Sequence, residues 1–194
     1  MRKGIIRLKN SCDKHFLDLE YTDAQHHENM LIYKKIASSI VLNFERGSND
    51  IFEYYDHLSS CFLLHESYIE KGIYDMDSML EGIIMGSLSI LSNDNQEMEI
   101  LFDELWEVYD KKNWKYGNTD EFRIMCYSPI ANLMMLAQKI KRLKSQIKNG
   151  IELGKESFDD TVMDLINYCM IYLIWLEKGM PIIRKIKLSM CEED

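Results

Sequence analysis

Apolar residues recur at every third or fourth position through most of the chain between residues 23 and 179. This spacing is typical of helices with one buried face, so it predicts an all-α protein. The six predicted segments are 23–46, 48–72, 75 or 77 to the break at 93, 95–112, 128–150 and 157–179. The first twenty or so residues show no strong period.

Residues that favour helix ends delimit several of these segments. Ser157 and Asp160 have the spacing of a capping box, with the shorter acid in the third helical position. Ser128 followed by Pro129 indicates a helix start, and Gly47 stands where a left-handed residue would end the first helix. The stretch 165–176 is apolar on nearly every side, which predicts that the last helix lies at the centre of a bundle.

The fold class predicted from these segments is a helical bundle of about six helices. We expect an N-terminal unit over residues 1–95, whose first two helices form a hairpin, and a three-helix unit over residues 96–180. Residues 181–194 are expected to form a solvated tail. The third helix is expected to allow close contact with a neighbour, because it contains the small residues Gly82, Gly86, Ser87 and Ser89.

Composition narrows the functional classes. The chain has 194 residues, 46% hydrophobic and 28% charged, as in folded soluble proteins, and only 2 prolines interrupt it. The net charge of -9 disfavours a general binder of duplex DNA. Five cysteines show no paired spacing, and no signal peptide or membrane span is apparent. We therefore expect a cytoplasmic protein with reduced thiols.

Carboxylates on the last helix form the first candidate site. Asp160, Asp164 and Asn167 are spaced i, i+4 and i+7, so they share one helix face. Two carboxylates suit a divalent cation, and Mg²⁺ commonly joins protein carboxylates to substrate phosphates. Two structural roles are the alternative: Asp160 caps the helix, and Asp164 pairs with a lysine or arginine.

Cations on the fifth helix form the second candidate site. Lys139 and Arg142 are spaced i and i+3, and both side-chain types bind phosphate oxygens. The alternatives are a solvated basic face and ion pairs with Asp160 and Asp164. Both could hold, because a cation that neutralises an aspartate in the empty state can turn to a phosphate when ligand arrives.

Residues 111–117 form the third candidate site, which we expect to be a loop. Lys111, Lys112, Asn113 and Tyr116 combine cations, an amide and an aromatic ring, which are suited to phosphate contact and base stacking. The alternative is a helix C-terminus decorated with lysines, which the helix dipole favours. The histidines, His26 among them, lack a convincing ligand set and are interpreted as surface residues.

Residues from about 100 to 178 resemble the nucleotide modification associated domain of the first type, an all-helical domain of phage and bacterial proteins. The resemblance covers about two fifths of the chain. Its matching features are Lys111-Lys112-Asn113, then Tyr116-Gly117, Lys139 with Arg142, and Asp160 through Asp164 to Asn167-Tyr168. Where the family usually has an aspartate before Tyr-Gly, this chain has Lys115.

The resemblance implies a phage-type protein, in the host cytoplasm if phage-encoded, that acts in nucleotide or modified-base metabolism. The first hypothesis is binding of a nucleotide or nucleotide derivative, with Mg²⁺-dependent hydrolysis if Asp160 and Asp164 hold the metal. The alternative is a non-catalytic protein that sequesters a signalling nucleotide or inhibits a host defence protein, which the basic Lys115 favours. A homodimer is a further possibility, because amphipathic helices often bury faces between subunits.

Overall fold

A computed structural model of the chain describes residues 21–70, 76–117, 129–149 and 157–178. Within these ranges the regular structure consists of six α-helices and no strand, which confirms the predicted all-α bundle. The helices are α1 (Asp23–Leu42), α2 (Ile51–Glu70), α3 (Asp77–Leu91), α4 (Asn95–Tyr116), α5 (Pro129–Asn149) and α6 (Phe158–Glu177).

Helix α6 is the central element of the bundle. It packs mainly against α3 and α5, and also contacts α1 and α4. From Leu165 to Trp175 every side chain except that of Tyr168 is buried. The all-round apolar pattern of this segment therefore predicted its place correctly, because an apolar helix is stable only where neighbours cover all its sides.

Side-chain caps fix the starts of several helices, and the cap of α6 lies at the predicted Ser157. Ser157 Oγ accepts a hydrogen bond from the Asp160 backbone N–H at 3.0 Å, and Asp160 Oδ2 accepts one from the Ser157 backbone N–H at 3.0 Å. Asp94 caps α4 and Asp50 caps α2 in similar ways. Each cap satisfies backbone donors that the first helical turn leaves without a partner.

The first helix ends earlier than Gly47, so that part of the prediction is wrong. Helix α1 stops at Leu42, because the Asn43 side chain donates to the Ser39 carbonyl at 2.9 Å and the Asn43 backbone N–H also bonds the last turn. Gly47 is not left-handed. Its N–H donates to Ser89 Oγ at 3.0 Å, and its lack of a side chain lets α3 approach closely.

The predicted hairpin of the first two helices also differs from the structure. Helix α1 packs chiefly on α4 and α6, whereas α2 packs on α3 and α5. The two helices therefore lie mainly on different neighbours, although they are consecutive in sequence. Helices from both sides of residue 95 contribute to one hydrophobic core, and the division into units at that residue stays a prediction from the sequence.

Close packing of α2 on α3 confirms the expected role of the small residues on α3. A Cβ atom placed on Gly86 would lie 2.8 Å from His57 Cδ2, closer than side chains tolerate. Tyr54 and Ser87 share a buried hydrogen bond at 2.9 Å across the same contact. Phe52 is 68% exposed, because Tyr54 and Leu58 define the buried side of α2.

Residues 111–116 are helical, which corrects the loop predicted there. Helix α4 continues to Tyr116, and Gly117 ends it with a φ of 69°. Buried residues recur along α4 at Phe102, Leu105, Tyr109 and Asn113, so the helical period runs through the lysine-rich segment. The predicted ends at Gly72, Ser128, Gly150 and Pro181, and the tail 181–194, lie outside the described residues.

Candidate functional site

A carboxylate on α6 lies between cations from two other helices. Asp164 Oδ2 accepts a hydrogen bond from Lys139 Nζ of α5 at 2.5 Å. Lys112 Nζ of α4 lies 3.9 Å from the other carboxylate oxygen, Oδ1. We call Lys112, Lys139 and Asp164 the Asp164 cluster. It joins α4, α5 and α6 at one polar point. The contact of Lys139 with Asp164 is one of the ion pairs that the sequence analysis gave as an alternative for Lys139 and Arg142.

The members of the Asp164 cluster differ in their access to solvent. The side chain of Lys139 is 15% exposed, that of Asp164 30%, and that of Lys112 58%. Lys139 is therefore held in a partly desolvated place, where an ammonium group requires an anionic partner. Arg142 is partly exposed one helical turn beyond Lys139 on α5. The cluster has more positive than negative charge.

Asp160 has a different role from Asp164, although the two share a helix face. Its carboxylate accepts the Ser157 backbone N–H of the capping box. Hydrogen bonding to the Ser157 side chain, then to its backbone, holds the pKa of Asp160 below its ordinary value. No group of three or more His, Cys, Asp or Glu residues that could hold a metal occurs within the described ranges. A Mg²⁺ site at Asp160 and Asp164 stays a prediction.

Asn113 and Asn167 are buried rather than displayed on a loop. They are 1% and 8% exposed, respectively. In the part of the chain that the structure describes, Asn113 Nδ2 and Asn167 Oδ1 have no hydrogen-bond partner. Tyr168 follows Asn167 on α6 and is partly exposed. Buried amide atoms without partners are uncommon in proteins, because such atoms usually bond protein or ordered water. A water molecule is the expected partner at both positions.

The last turn of α4 places its remaining candidate residues on the surface. Lys111 and Tyr116 are exposed, and Tyr116 is 58% exposed. Lys115 Nζ lies 4.9 Å from the centre of the Tyr116 ring. A hydrogen bond with Tyr116 raises the pKa of Lys115. Lys115 and the Tyr116 ring are therefore in contact at the exposed end of a helix, and the ligand role of Lys111, Lys112 and Tyr116 stays a prediction.

A second polar cluster, which the sequence did not reveal, joins α1 to α4. His26 Nδ1 lies 2.6 Å from Asp110 Oδ1, and Tyr21 donates its hydroxyl to the same oxygen at 3.1 Å. We call these three residues the Asp110 cluster. Burial, and then the neighbouring Asp110 charge, raises the pKa of Tyr21 well above its ordinary value. His26 is thus partnered and is not an isolated surface histidine.

Aromatic rings surround the Asp110 cluster. The Trp114 ring centre lies 4.9 Å from that of Tyr21, in an edge-to-face arrangement, and 6.1 Å from that of His26. The Trp106 ring centre lies 5.8 Å from that of His26. No local signal could have located this cluster, because His26 and Asp110 are 84 positions apart and meet only when α1 packs on α4.

Comparisons with known proteins bear on the same region. The family model of nucleotide modification associated domain 1 matches residues 112–176, about one third of the chain, as the resemblance indicated. The match begins at Lys112 and includes the whole Asp164 cluster. No curated protein and no solved structure matches significantly. Within the described residues, no helix is long and apolar enough to cross a membrane.

Proposed function

We propose that the protein binds a nucleotide or nucleotide derivative and that the Asp164 cluster holds its phosphates. The observation that carries the proposal is the placement of the Asp164 carboxylate between Lys112 and Lys139, inside the region that matches a nucleotide-associated family. A carboxylate between two ammonium groups has the charge of a bound phosphate oxygen. Arriving phosphate can replace it as the partner of both lysines.

Arg142 is the third cation of this proposal. It follows Lys139 by one turn, and its guanidinium can bind two phosphate oxygens at once. The exposed Lys111 and Tyr116 at the end of α4, and the partly exposed Tyr168 on α6, would contact the rest of the ligand. Asn113 and Asn167 are 1% and 8% exposed, so their predicted ligand contact has no support from this structure. The exposed Tyr116 ring offers a surface on which a base can stack.

Capture of the ligand fits the described residues better than hydrolysis does. In metal-assisted phosphate hydrolysis, carboxylates hold Mg²⁺ and the metal activates a water. Here Asp164 is engaged by two lysines, and Asp160 by the helix cap. We therefore favour a binding or sequestering protein of phage type, with Mg²⁺ arriving on the ligand phosphates. Hydrolysis, a host protein partner and a homodimer remain alternatives for experiment.

The test is a binding screen with purified protein. Mononucleotides, deoxynucleotides and cyclic dinucleotides are incubated with Mg²⁺, and retained ligands and reaction products are both identified by mass spectrometry. Affinity for the ligand found is then measured for Lys139→Gln and for Lys34→Gln, a matched change at an exposed lysine of α1. We expect Lys139→Gln to weaken binding about tenfold or more, the size of one charge-assisted hydrogen bond.

Three outcomes would contradict the proposal. Equal affinities of Lys139→Gln and Lys34→Gln would place the ligand elsewhere on the protein. Retention of no nucleotide by the unmodified protein would leave the Asp164 cluster with a structural role only. Release of a shortened nucleotide, lost in Asp164→Ala, would replace capture with hydrolysis.

A further inference from the structure

Positive charge is concentrated on α5 of this acidic protein. The helix has five basic residues and no acidic one between residues 129 and 149, although the chain has 32 acidic residues against 23 Lys and Arg. Segregation of charge on this scale indicates a surface for an anionic partner. Lys139 and Arg142 belong to the proposed nucleotide site, which leaves Lys141, Lys144 and Lys148.

These three lysines form a row along one side of α5. Their spacing of i, i+3 and i+7 places them within about 60° of one another around the helix axis. The successive steps along the axis are about 4.5 Å and about 6 Å. All three side chains are exposed. We call Lys141, Lys144 and Lys148 the lysine row.

Within the described ranges, the lysine row has no acidic partner at ion-pair distance. Among the described residues, no carboxylate oxygen lies within 4.0 Å of these three ammonium groups. Lys144 Nζ instead lies 5.6 Å from the centre of the Tyr55 ring of α2. Proteins that bind single-stranded nucleic acids combine cations with aromatic rings, since the phosphates contact the cations and the bases stack on the rings.

We propose that the lysine row binds the phosphate backbone of single-stranded nucleic acid. A row of regularly spaced charges matches a chain of phosphates better than a single small anion, which needs convergent donors. The choice of nucleic acid among polyanions rests on the Tyr55 ring beside Lys144, since a base can stack on a ring while its phosphate contacts a cation. Lys139 is turned about 140° or more away from the lysine row around the axis of α5, so the row is a site separate from the Asp164 cluster.

The test measures binding of a fluorescent oligothymidylate of about 12 nucleotides, a length within the range of known single-strand sites. Three phosphate contacts predict a slope of about -2 for log affinity against log salt, or a loss of about 20-fold between about 50 and about 200 mM salt. Replacing all three lysines with glutamine should abolish this slope. Arginine at the same three positions keeps the charge and should keep the binding.

Matched single variants separate the lysine row from the net charge of the protein. Lys141→Glu and Lys34→Glu change the net charge equally, and both positions are exposed in helices. We expect Lys141→Glu to weaken oligonucleotide binding about tenfold at low salt and Lys34→Glu to weaken it less than twofold. Circular dichroism of each variant checks that the helices are retained.

Failure of this proposal can be told from failure of the nucleotide site. Oligonucleotide binding equal in Lys141→Glu and Lys34→Glu would overturn the lysine-row proposal, whatever mononucleotide binding shows. Equal affinity for duplex DNA, or binding only to vesicles of phosphatidylcholine and phosphatidylserine, would also overturn it. Mononucleotide affinity that is lost in Lys139→Gln but kept in Lys141→Glu would support two separate sites.

Discussion

Two polar clusters lie beside the last turns of α4, and they differ in charge balance. The Asp110 cluster joins α1 to α4 through an acid with a histidine and a tyrosine, and aromatic rings enclose it. The Asp164 cluster joins α4, α5 and α6 through one acid with two lysines. The first has the composition of a structural contact, whereas in the second a single acid lies between two lysines.

The difference teaches that polar contacts between helices need not serve the same purpose. In the α1–α4 interface, hydrogen bonds continue into the core through Asn29, which donates to the Tyr109 hydroxyl at 3.1 Å. Such buried bonds hold two helices in one alignment, because leaving either group without a partner costs free energy. In the Asp164 cluster, the exposed Lys112 remains accessible to ligand.

The largest expected effect concerns the α1–α4 interface. Asn29 is 1% exposed, so Asn29→Ala removes a buried hydrogen bond and leaves space in the interface. We expect it to lower the free energy of unfolding by about 2 kcal/mol, measured by urea denaturation. The matched control His27→Ala, at an exposed position of α1, should change it by less than about 0.5 kcal/mol.

Asn29→Ala and His27→Ala also test whether the α1–α4 interface is separate from the nucleotide site. Nucleotide affinity should be unchanged in Asn29→Ala under conditions where the protein remains folded. A loss of affinity without loss of stability would mean that the α1–α4 interface belongs to the binding site, and the distinction between the two clusters would then fail.

A smaller effect is expected at the Asp164 cluster. If phosphate and Asp164 compete for the same lysines, Asp164→Asn should raise nucleotide affinity about fivefold, which corresponds to about 1 kcal/mol of ion-pair free energy. Asp159→Asn is the matched control, because it removes the same charge from an exposed position of α6. Isothermal titration calorimetry with and without Mg²⁺ measures both. Weaker binding of the Mg²⁺ complex by Asp164→Asn would instead make Asp164 a metal ligand.

The smallest effect concerns Asp160 and decides whether it belongs with Asp164. Its pKa is lower in the folded protein than in the unfolded chain, so its contribution to stability is present above the ordinary aspartate pKa and is lost as pH falls through the folded value. Ser157→Ala removes the largest cause of that shift. We therefore expect this variant to lose less stability than the unmodified protein when the pH is lowered from about 6 to about 3.

Urea midpoints at the two pH values provide the measurement, and Asp160→Asn, which cannot titrate, should behave like Ser157→Ala. An unchanged pH dependence in both variants would show that the capping box does not control the ionisation of Asp160. A metal role shared with Asp164 would then gain support.

Features that depend on neighbours within about four residues could be predicted from the sequence. The cap at Ser157 lies where its residue type indicated, because a cap bonds only the first turn of its own helix. The central position of α6 also followed from its sequence, since an apolar helix needs cover on every side. Local signals failed at residues 111–116. The lysines there were interpreted as a loop, but α4 continues through them to Tyr116.

The sequence by itself determined an all-α protein, its helix starts, its central helix and the candidate cations and acids. Only the tertiary structure decided that α1 packs on α4 rather than on α2, that His26 meets Asp110, and that Lys112 and Lys139 share Asp164. The physical reason is that helix periodicity shows which side of a helix is buried but not which neighbour covers it. Many pairings bury similar apolar area, and the choice among them depends on the fit of side chains far apart in sequence.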